Sequence, residues 1–220
     1  MCKFWKVLGC LCLLVVTPVK AAPSIDPAEL EAFMDGVVHA TMRQNNIVGA
    51  TVAITQDDQV IVLKGYGYAN KAGEIPVDPE KTLFRIGSVS KLFTWTGLMQ
   101  LREQGKLDLD TDVNEYLSTL TIPDTFPEPI TLRHLMSHSG GIEDRIVQLF
   151  GDEASDMQPY AEILSRELPG RVRAPGTVST YSNHGVGLAG LVLEEVSGQK
   201  WEDYVQQHIL DPLQMSSASA

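Results

Sequence analysis

Two residues with complementary chemistry lie three positions apart in the sequence Ser88-Val89-Ser90-Lys91. They open a long apolar segment that runs to Gly105. If this segment is a helix, residues three apart share one face, so the hydroxyl and the amine can meet. A serine hydroxyl needs a base to take its proton, and a neutral lysine amine can do so. The spacing therefore suggests Ser88 as a nucleophile, Lys91 as its general base, and the Ser88 backbone N–H as an oxyanion donor at the positive helix end.

The S-x-x-K pattern is weak by itself, because serines and lysines are common. Ser88 could equally be a helix cap and Lys91 a solvated side chain. A second copy, Ser197 and Lys200, shows how readily the spacing recurs. We interpret that copy as structural, because Gly198 should end the helix before Lys200 can share the face of Ser197.

A second polar cluster, Tyr181-Ser182-Asn183, lies in a loop rich in Pro and Gly just before an apolar helix. A phenol can pass protons between a lysine and a leaving group. An asparagine amide can bind a substrate amide or hold the lysine. The structural alternative is a loop tyrosine followed by a helix cap. The related Tyr68-Ala69-Asn70 falls at the end of a predicted strand, where alternate side chains face opposite ways, and is predicted to be structural.

His134 and His138 are four residues apart, a spacing that zinc sites use. No Glu follows His134 as in H-E-x-x-H, and the sequence offers no evident third ligand. We therefore predict packing or capping roles for both histidines. A zinc hydrolase built on these two histidines is the remote alternative. The chain also lacks the G-x-S-x-G elbow of the α/β-hydrolases.

Composition excludes further classes of function. The net charge is −11, which argues against a nucleic-acid partner, since such proteins carry basic patches. It also gives no electrostatic reason to bind anionic membranes. All 3 cysteines lie within the first dozen residues, so the body can form neither a disulfide framework nor a cysteine metal site.

Residues 1–22 are predicted to be a signal peptide. Lys3 and Lys6 give a basic start, and residues 7–16 form an apolar run too short to span a bilayer. We therefore expect a periplasmic or secreted protein with no transmembrane span once the leader is removed. A buried N-terminal helix and a lipidation site at Cys10 are the alternatives.

The rest of the chain predicts a mixture of helices and a β-hairpin. Asp26 and Pro27 begin a helix with one apolar stripe: Leu30, Phe33, Met34, Val37 and Val38. Two β-branched runs at 48–55 and 59–68 flank a polar turn and predict the hairpin. Residues 83–86 are predicted to be either a short strand or an extended entry to the Ser88 helix. Further helices are predicted at about 88–104, 132–137, 159–168, 183–197 and 201–210, and loops at 73–79 and 142–158.

Ser88–Lys91 together with Tyr181-Ser182-Asn183 resembles the serine β-lactamase-related family, which includes class C β-lactamases, D-alanyl-D-alanine carboxypeptidases and related esterases. The flanks at 87–117, 130–142, 174–198 and 201–215 also look like segments of that family. The similarity covers nearly all of residues 26–215, so it is specific to the family but not to a substrate.

The resemblance implies an α+β, β-lactamase/transpeptidase-like fold: an antiparallel sheet flanked by helices, plus a helical subdomain. It implies acylation of Ser88, Lys91 as base, Tyr181 as proton shuttle, and Asn183 in contact with Lys91 or the substrate. It implies no metal and no organic cofactor. The substrate would be a β-lactam, a D-Ala-D-Ala peptide from peptidoglycan, or a carboxyl ester. The sequence does not choose among them, nor does it give the oligomeric state.

The resemblance also has a departure. The family's third motif, Lys or His followed by a small residue and Gly, does not occur after Tyr181. We therefore expect residues 23–220 to form the N-terminal part of a serine hydrolase domain, with the C-terminal sheet strands absent and stability and activity reduced. The alternative function is a non-catalytic penicillin-binding or sensor-like protein, or an inactive remnant.

Overall fold

The computed structural model describes residues 25–145 and 159–219. The predicted leader at 1–22 and most of the predicted polar loop at 142–158 therefore lie outside the described residues. The chain divides into two compact units, residues 1–82 and 83–220. Within the described ranges, none of the helices has both the length and the hydropathy that crossing a bilayer requires.

The first unit begins with helix α1, Pro27–Asn45. Its start is confirmed: the Asp26 carboxylate accepts a hydrogen bond of 2.9 Å from the Ala28 N–H, and proline occupies the first helical position. The helix ends at Asn45, and the next residue, Asn46, adopts the left-handed conformation with φ of 54°.

The predicted hairpin is present as β1, Gly49–Gln56, paired antiparallel with β2, Gln59–Asn70. Asp57 and Asp58 connect the strands with positive φ angles of 50° and 60°, and such a turn matches the twist of the two strands. A third strand, β3, Ile75–Pro76, pairs with β2 where we predicted only a loop. A two-residue strand is too short to leave an alternating pattern in the sequence.

Polar side chains join α1 to β2. The Lys64 ammonium lies 2.7 Å from Glu31 and 2.8 Å from Asp35, both on α1. The prediction that α1 packs through one apolar stripe is wrong in part. Only Val38 among the five residues of the stripe is buried, and Phe33 is 64% exposed. In this unit α1 therefore faces the sheet with charged groups as well as apolar ones.

The core of the second unit forms around helix α2, Lys91–Glu103, and a later helix, Asn183–Ser197, which is α5 below. Leu98 and Leu101 of α2 are fully buried, and nine residues of the later helix are buried. Each fully buried leucine contributes about 1.5–3 kcal/mol to stability. These two helices therefore carry much of the hydrophobic stabilisation of the unit.

Shorter elements complete the second unit. They are a 3₁₀ turn before α2 at Gly87–Ser90, a 3₁₀ turn at Val113–Glu115, α3 at Leu132–Met136, α4 at Tyr160–Arg166, and α6 at Trp201–Val205, which continues as a π-helical turn at Gln206–Leu210. The predicted helices are thus all found, with ends shifted by a few residues. The possible strand at 83–86 does not form.

Gly97 allows α2 to approach its neighbours closely. A Cβ atom at this position would overlap the Leu193 side chain on α5 and would lie 3.2 Å from Cε1 of Tyr204. Leu193 is fully buried, so it has little room to turn away. The absence of a side chain at Gly97 is therefore a requirement of the core packing.

We expect Gly97→Ala to lower the free energy of unfolding by about 1–3 kcal/mol, because the added methyl group overpacks the core. The matched control is Gly36→Ala, inside α1, where the added methyl group meets nothing within 4 Å. The control should raise the free energy of unfolding by about 0.5–1 kcal/mol, since alanine favours helix. Urea midpoints of the two variants should lie on opposite sides of the parent. A Gly97→Ala midpoint at or above the parent would contradict the close packing.

Candidate active site

Ser88 lies in the 3₁₀ turn Gly87–Ser90, directly before α2. Gly87 begins that turn with φ of 55°, a conformation that glycine adopts without strain. Our prediction placed Ser88 in the first turn of a regular α-helix, and the structure differs by tightening that turn. Side chains three apart eclipse in a 3₁₀ turn, which brings the Lys91 amine to 3.1 Å from the Ser88 hydroxyl. The N–H of Ser88 lies at the positive end of the α2 dipole.

Tyr181 reaches Ser88 from the loop before α5. Its hydroxyl lies 2.8 Å from Ser88 Oγ, and the Lys91 Nζ atom lies 5.0 Å from the centre of its ring. The Lys91 side chain, and secondly the hydrogen bond with Ser88, hold the pKa of the Tyr181 phenol below its ordinary value. Ser88 is therefore contacted by two groups that can exchange protons.

Asn183 is the first residue of α5, which Ser182 caps by accepting a 3.0 Å hydrogen bond from the Gly185 N–H. The Asn183 side-chain oxygen accepts a 2.9 Å hydrogen bond from Lys91 Nζ. The lysine thus bonds both to the serine in its own turn and to the start of α5. All four residues of the sequence-based prediction, Ser88, Lys91, Tyr181 and Asn183, lie together.

His138 supports the tyrosine. Its ring packs against the Tyr181 ring with centroids 4.5 Å apart, and its Nδ1 atom accepts a 3.4 Å hydrogen bond from the Ser182 N–H. Burial, and then the positive charge of Lys91, lower the pKa of His138, which favours the neutral ring that this acceptor role requires. The predicted packing role for His138 therefore agrees with its contacts.

Asp144 is the residue at this site that the sequence reasoning missed. Its carboxylate accepts hydrogen bonds from the Asn183 N–H at 2.7 Å, the Asn183 side-chain amide at 3.0 Å and the His184 N–H at 3.1 Å. Partial burial raises the pKa of Asp144, but the hydrogen bonds from His184 and Asn183 outweigh it and hold the pKa below its ordinary value. Nothing in the surrounding sequence distinguishes Asp144 from the adjacent Glu143.

The duplicate motifs are not assembled in this way. The Ser197 hydroxyl bonds to the Glu194 carbonyl at 3.4 Å, whereas the Lys200 ammonium lies 3.7 Å from the Glu194 carboxylate. In the other duplicate, the Asn70 side chain accepts a 3.0 Å hydrogen bond from the Gly73 N–H, as a turn residue does.

His134 caps the helix on which it lies. Its Nδ1 atom lies 3.2 Å from the Thr131 backbone N–H, and the two residues form a capping box at the start of α3. Residues 25–145 and 159–219 contain no group of three or more His, Cys, Asp or Glu side chains arranged to hold a metal ion.

The contacts of Ser88 are suited to one type of reaction. The Ser88 hydroxyl touches an amine and a phenol, so its proton has two places to go when the oxygen attacks a carbonyl carbon. The start of α2 faces the same oxygen with its positive dipole end, which suits the negative charge that develops on an attacked carbonyl. The arrangement is suited to acyl transfer.

Comparisons with known proteins agree with this fold. The Bacillus subtilis protein PbpX is 34% identical over 76% of this chain and 40% of its own length. A solved class C beta-lactamase in complex with cefoxitin is 28% identical with a TM-score of 0.71, over 88% of this chain and 52% of that one. A beta-lactamase/D-alanine carboxypeptidase from Pseudomonas syringae is 28% identical with a TM-score of 0.68, over 84% and 49%. These neighbours confirm the predicted α+β, β-lactamase/transpeptidase-like fold class.

The chain spans between 36% and 49% of the length of the curated relatives that it matches. The family model described as beta-lactamase matches residues 34–220, which is most of the chain. This protein therefore belongs to the beta-lactamase family.

Proposed function

We propose that this chain is a serine hydrolase that forms an acyl-enzyme on Ser88. One observation carries the proposal: the Ser88 oxygen lies within hydrogen-bonding distance of both the Lys91 amine, at 3.1 Å, and the Tyr181 phenol, at 2.8 Å. A serine surrounded in this way can lose its proton as it attacks, which an isolated surface serine cannot. Membership of the beta-lactamase family supports the same reaction class.

In the acylation step, Ser88 Oγ attacks the substrate carbonyl carbon and its proton passes to the Lys91 amine. The carbonyl oxygen becomes an oxyanion, which the Ser88 N–H at the start of α2 stabilises. The intermediate then collapses, and the bond to the leaving nitrogen or oxygen breaks. Tyr181 delivers a proton to that leaving atom and is reprotonated by Lys91, so the acyl group remains on Ser88.

Hydrolysis reverses these proton movements. Tyr181 or Lys91 takes a proton from a water molecule as the water oxygen attacks the acyl carbon. The bond between that carbon and Ser88 Oγ breaks, and the serine oxygen recovers a proton. A carboxylic acid leaves, and the enzyme returns to its starting state. Each step uses only these side chains and water.

The substrate class is proposed from the same chemistry. β-Lactams, D-Ala-D-Ala peptides and carboxyl esters each offer a carbonyl with a nitrogen or oxygen leaving group. One solved neighbour is named as a class C beta-lactamase with cefoxitin, and another as a beta-lactamase/D-alanine carboxypeptidase. The predicted leader at 1–22 would take the protein to the periplasm or the cell exterior, where peptidoglycan-type substrates occur.

We expect a fluorescent penicillin or a fluorophosphonate probe to label the purified chain at Ser88, because both react with activated serines. Mass spectrometry of the labelled peptide should place the added mass on the 3₁₀ turn Gly87–Ser90. Ser88→Ala should abolish the label. Ser197→Ala, which removes the serine of the duplicate motif, is the matched control and should label like the parent.

Two outcomes would count against the enzyme. If neither probe labels Ser88, the proposed acyl-enzyme does not form. Reversible binding of a penicillin without any added mass on Ser88 would favour the alternative of a non-catalytic penicillin-binding or sensor-like protein.

Lys91→Ala and Tyr181→Phe should each lower the rate of acylation by about 100-fold or more, because each removes a proton-transfer group. Lys200→Ala and Tyr68→Phe make the same chemical changes in the duplicate motifs and should leave the rate near that of the parent. Stopped-flow or quenched labelling of the four variants, with circular dichroism to verify folding, measures this. Equal rates for Lys91→Ala and Lys200→Ala would remove Lys91 from the mechanism.

A further inference from the structure

The carboxylate of Asp144 has no part in the steps described above, yet it is in contact with the residues that carry them. It divides its two oxygens between different partners. Oδ1 accepts from the Asn183 N–H at 2.7 Å, the His184 N–H at 3.1 Å and the Ser182 hydroxyl at 3.4 Å. Oδ2 accepts from the side-chain amide of Asn183 at 3.0 Å. Oδ1 thus holds two backbone N–H groups and the Ser182 hydroxyl, whereas Oδ2 holds the side chain that bonds to Lys91.

The Asn183 amide lies between Lys91, which keeps N–H donors whether or not it is charged, and a carboxylate that can only accept. Lys91 offers N–H donors, and an ionised Asp144 offers only acceptors. The amide can satisfy both in one orientation: its oxygen towards Lys91, at 2.9 Å, and its nitrogen towards Asp144, at 3.0 Å. Turning the amide over would place its NH₂ group against the lysine and its oxygen against the carboxylate. The charge on Asp144 therefore selects which end of Asn183 meets Lys91.

The segment that carries Asp144 is itself firmly held. Ile142 is buried and forms an antiparallel bridge with Arg171. The Glu143 N–H bonds to the Gly170 carbonyl at 3.2 Å, and the Val172 N–H bonds to the Gly141 carbonyl at 2.8 Å. The backbone is therefore hydrogen-bonded both before and after Ile142. This fixes the segment from which Asp144 extends to Asn183, and a residue that orients another side chain needs such a fixed backbone.

We propose that Asp144 is a positioning residue for acylation: it fixes the orientation of the Asn183 amide, and through it holds the Lys91 amine against the Ser88 hydroxyl. This inference rests on the proposed function. It adds to that function a carboxylate whose effect on the rate is indirect, since it acts through Asn183 and not on the reacting atoms.

The plainer role for Asp144 is that of a second cap for α5. Ser182 already caps this helix through the Gly185 N–H, and Asp144 adds acceptors for the Asn183 and His184 N–H groups. A capping role predicts a loss of stability alone. The positioning role predicts in addition a change in the rate of acylation and in its pH dependence.

Asp144→Asn tests the distinction because it preserves shape. The new side-chain oxygen can still accept from the two backbone N–H groups, but its NH₂ group then faces the NH₂ group of Asn183. Asn183 relieves this clash by turning over, which presents its NH₂ to Lys91. We expect kcat/KM for acylation to fall by about 10- to 100-fold, because the base is displaced from Ser88.

The acid limb of the pH–rate profile should also move to lower pH in Asp144→Asn. An NH₂ group facing Lys91 disfavours the ammonium form, and the loss of the Asp144 charge acts in the same direction. Tyr181 and His138, the titratable groups that also face Lys91, are unchanged in this variant.

Glu195→Gln is the matched control. Glu195 lies on the same helix as Asn183, near its other end, and its carboxylate accepts from the Ser118 N–H at 2.6 Å and the Thr119 N–H at 3.3 Å. This substitution removes a charge from a backbone-holding carboxylate without touching the site. It should lower stability to a similar degree while leaving the rate and the pH profile of the parent.

Exchanging the two residue types provides a rescue. In Asn183→Asp alone, two carboxylates face each other, and acylation should be slowest. In the double variant Asp144→Asn/Asn183→Asp, the new carboxylate at position 183 can accept from both Lys91 and the new amide at position 144. The double variant should therefore acylate faster than Asn183→Asp alone. Its acid limb should move to higher pH, opposite to Asp144→Asn, because an anion now contacts the lysine.

The results separate this inference from the proposed function. If the parent chain is not acylated at Ser88, the proposed function fails, and NMR of the full chain still decides the positioning role. In Asp144→Asn, nuclear Overhauser contacts should appear between the Asn183 NH₂ protons and the Lys91 side chain, and Glu195→Gln should lack them. If the parent is acylated but Asp144→Asn keeps its rate, its pH profile and its Asn183 orientation, Asp144 is only a cap and the inference is wrong.

Discussion

The Lys91 side chain is the group on which the arrangement around Ser88 depends, because it bonds to two segments that are distant in sequence. One bond goes to the serine in its own turn and the other to Asn183 at the start of α5. A lysine carries about 2 kcal/mol of rotamer entropy, so it holds one position only when directed hydrogen bonds fix it. Those bonds require α2 and α5 to keep a constant spacing, which the tight packing at Gly97 provides. The packing of the core therefore fixes the geometry of the site.

A third segment, residues 138–144, contacts both Tyr181 and Asn183. The His138 ring packs on Tyr181, and the Asp144 carboxylate holds Asn183. The bridge between Ile142 and Arg171 anchors this segment, and the Arg171 guanidinium in turn bonds to the carbonyls of Pro123 and Glu128. A buried arginine that binds carbonyls ties several loops together with directional bonds, where an apolar side chain would leave those carbonyls unpaired. Loops can in this way position side chains as firmly as helices do.

Sequence reasoning succeeded where a local rule decides the structure. Caps and glycines located both ends of α5, and the polar turn located the hairpin, because these are short-range effects. Asp144 could not be found in this way, since its partners are about 40 positions away and nothing in its neighbours distinguishes it from Glu143. Strand β3 was missed because two residues are too few to leave an alternating pattern. The exposure of Phe33 was missed because it depends on which surface lies opposite the helix, and periodicity does not record that.

The residues around Ser88 are exposed, and this exposure bears on substrate preference in the proposed reaction. Ser88 is exposed and Tyr181 is 49% exposed, so water reaches both hydroxyl groups. Hydrogen bonds of this kind strengthen when water is removed, and a bound substrate removes it. In the proposed reaction, lactams, peptides and esters would each present a carbonyl carbon to Ser88, and each would cover the surrounding surface to a different extent. For the proposed hydrolase, preference among these substrates would follow from how completely each shields the Lys91–Asn183 pair from water, whereas the proposed proton transfers depend only on the positions of the side chains.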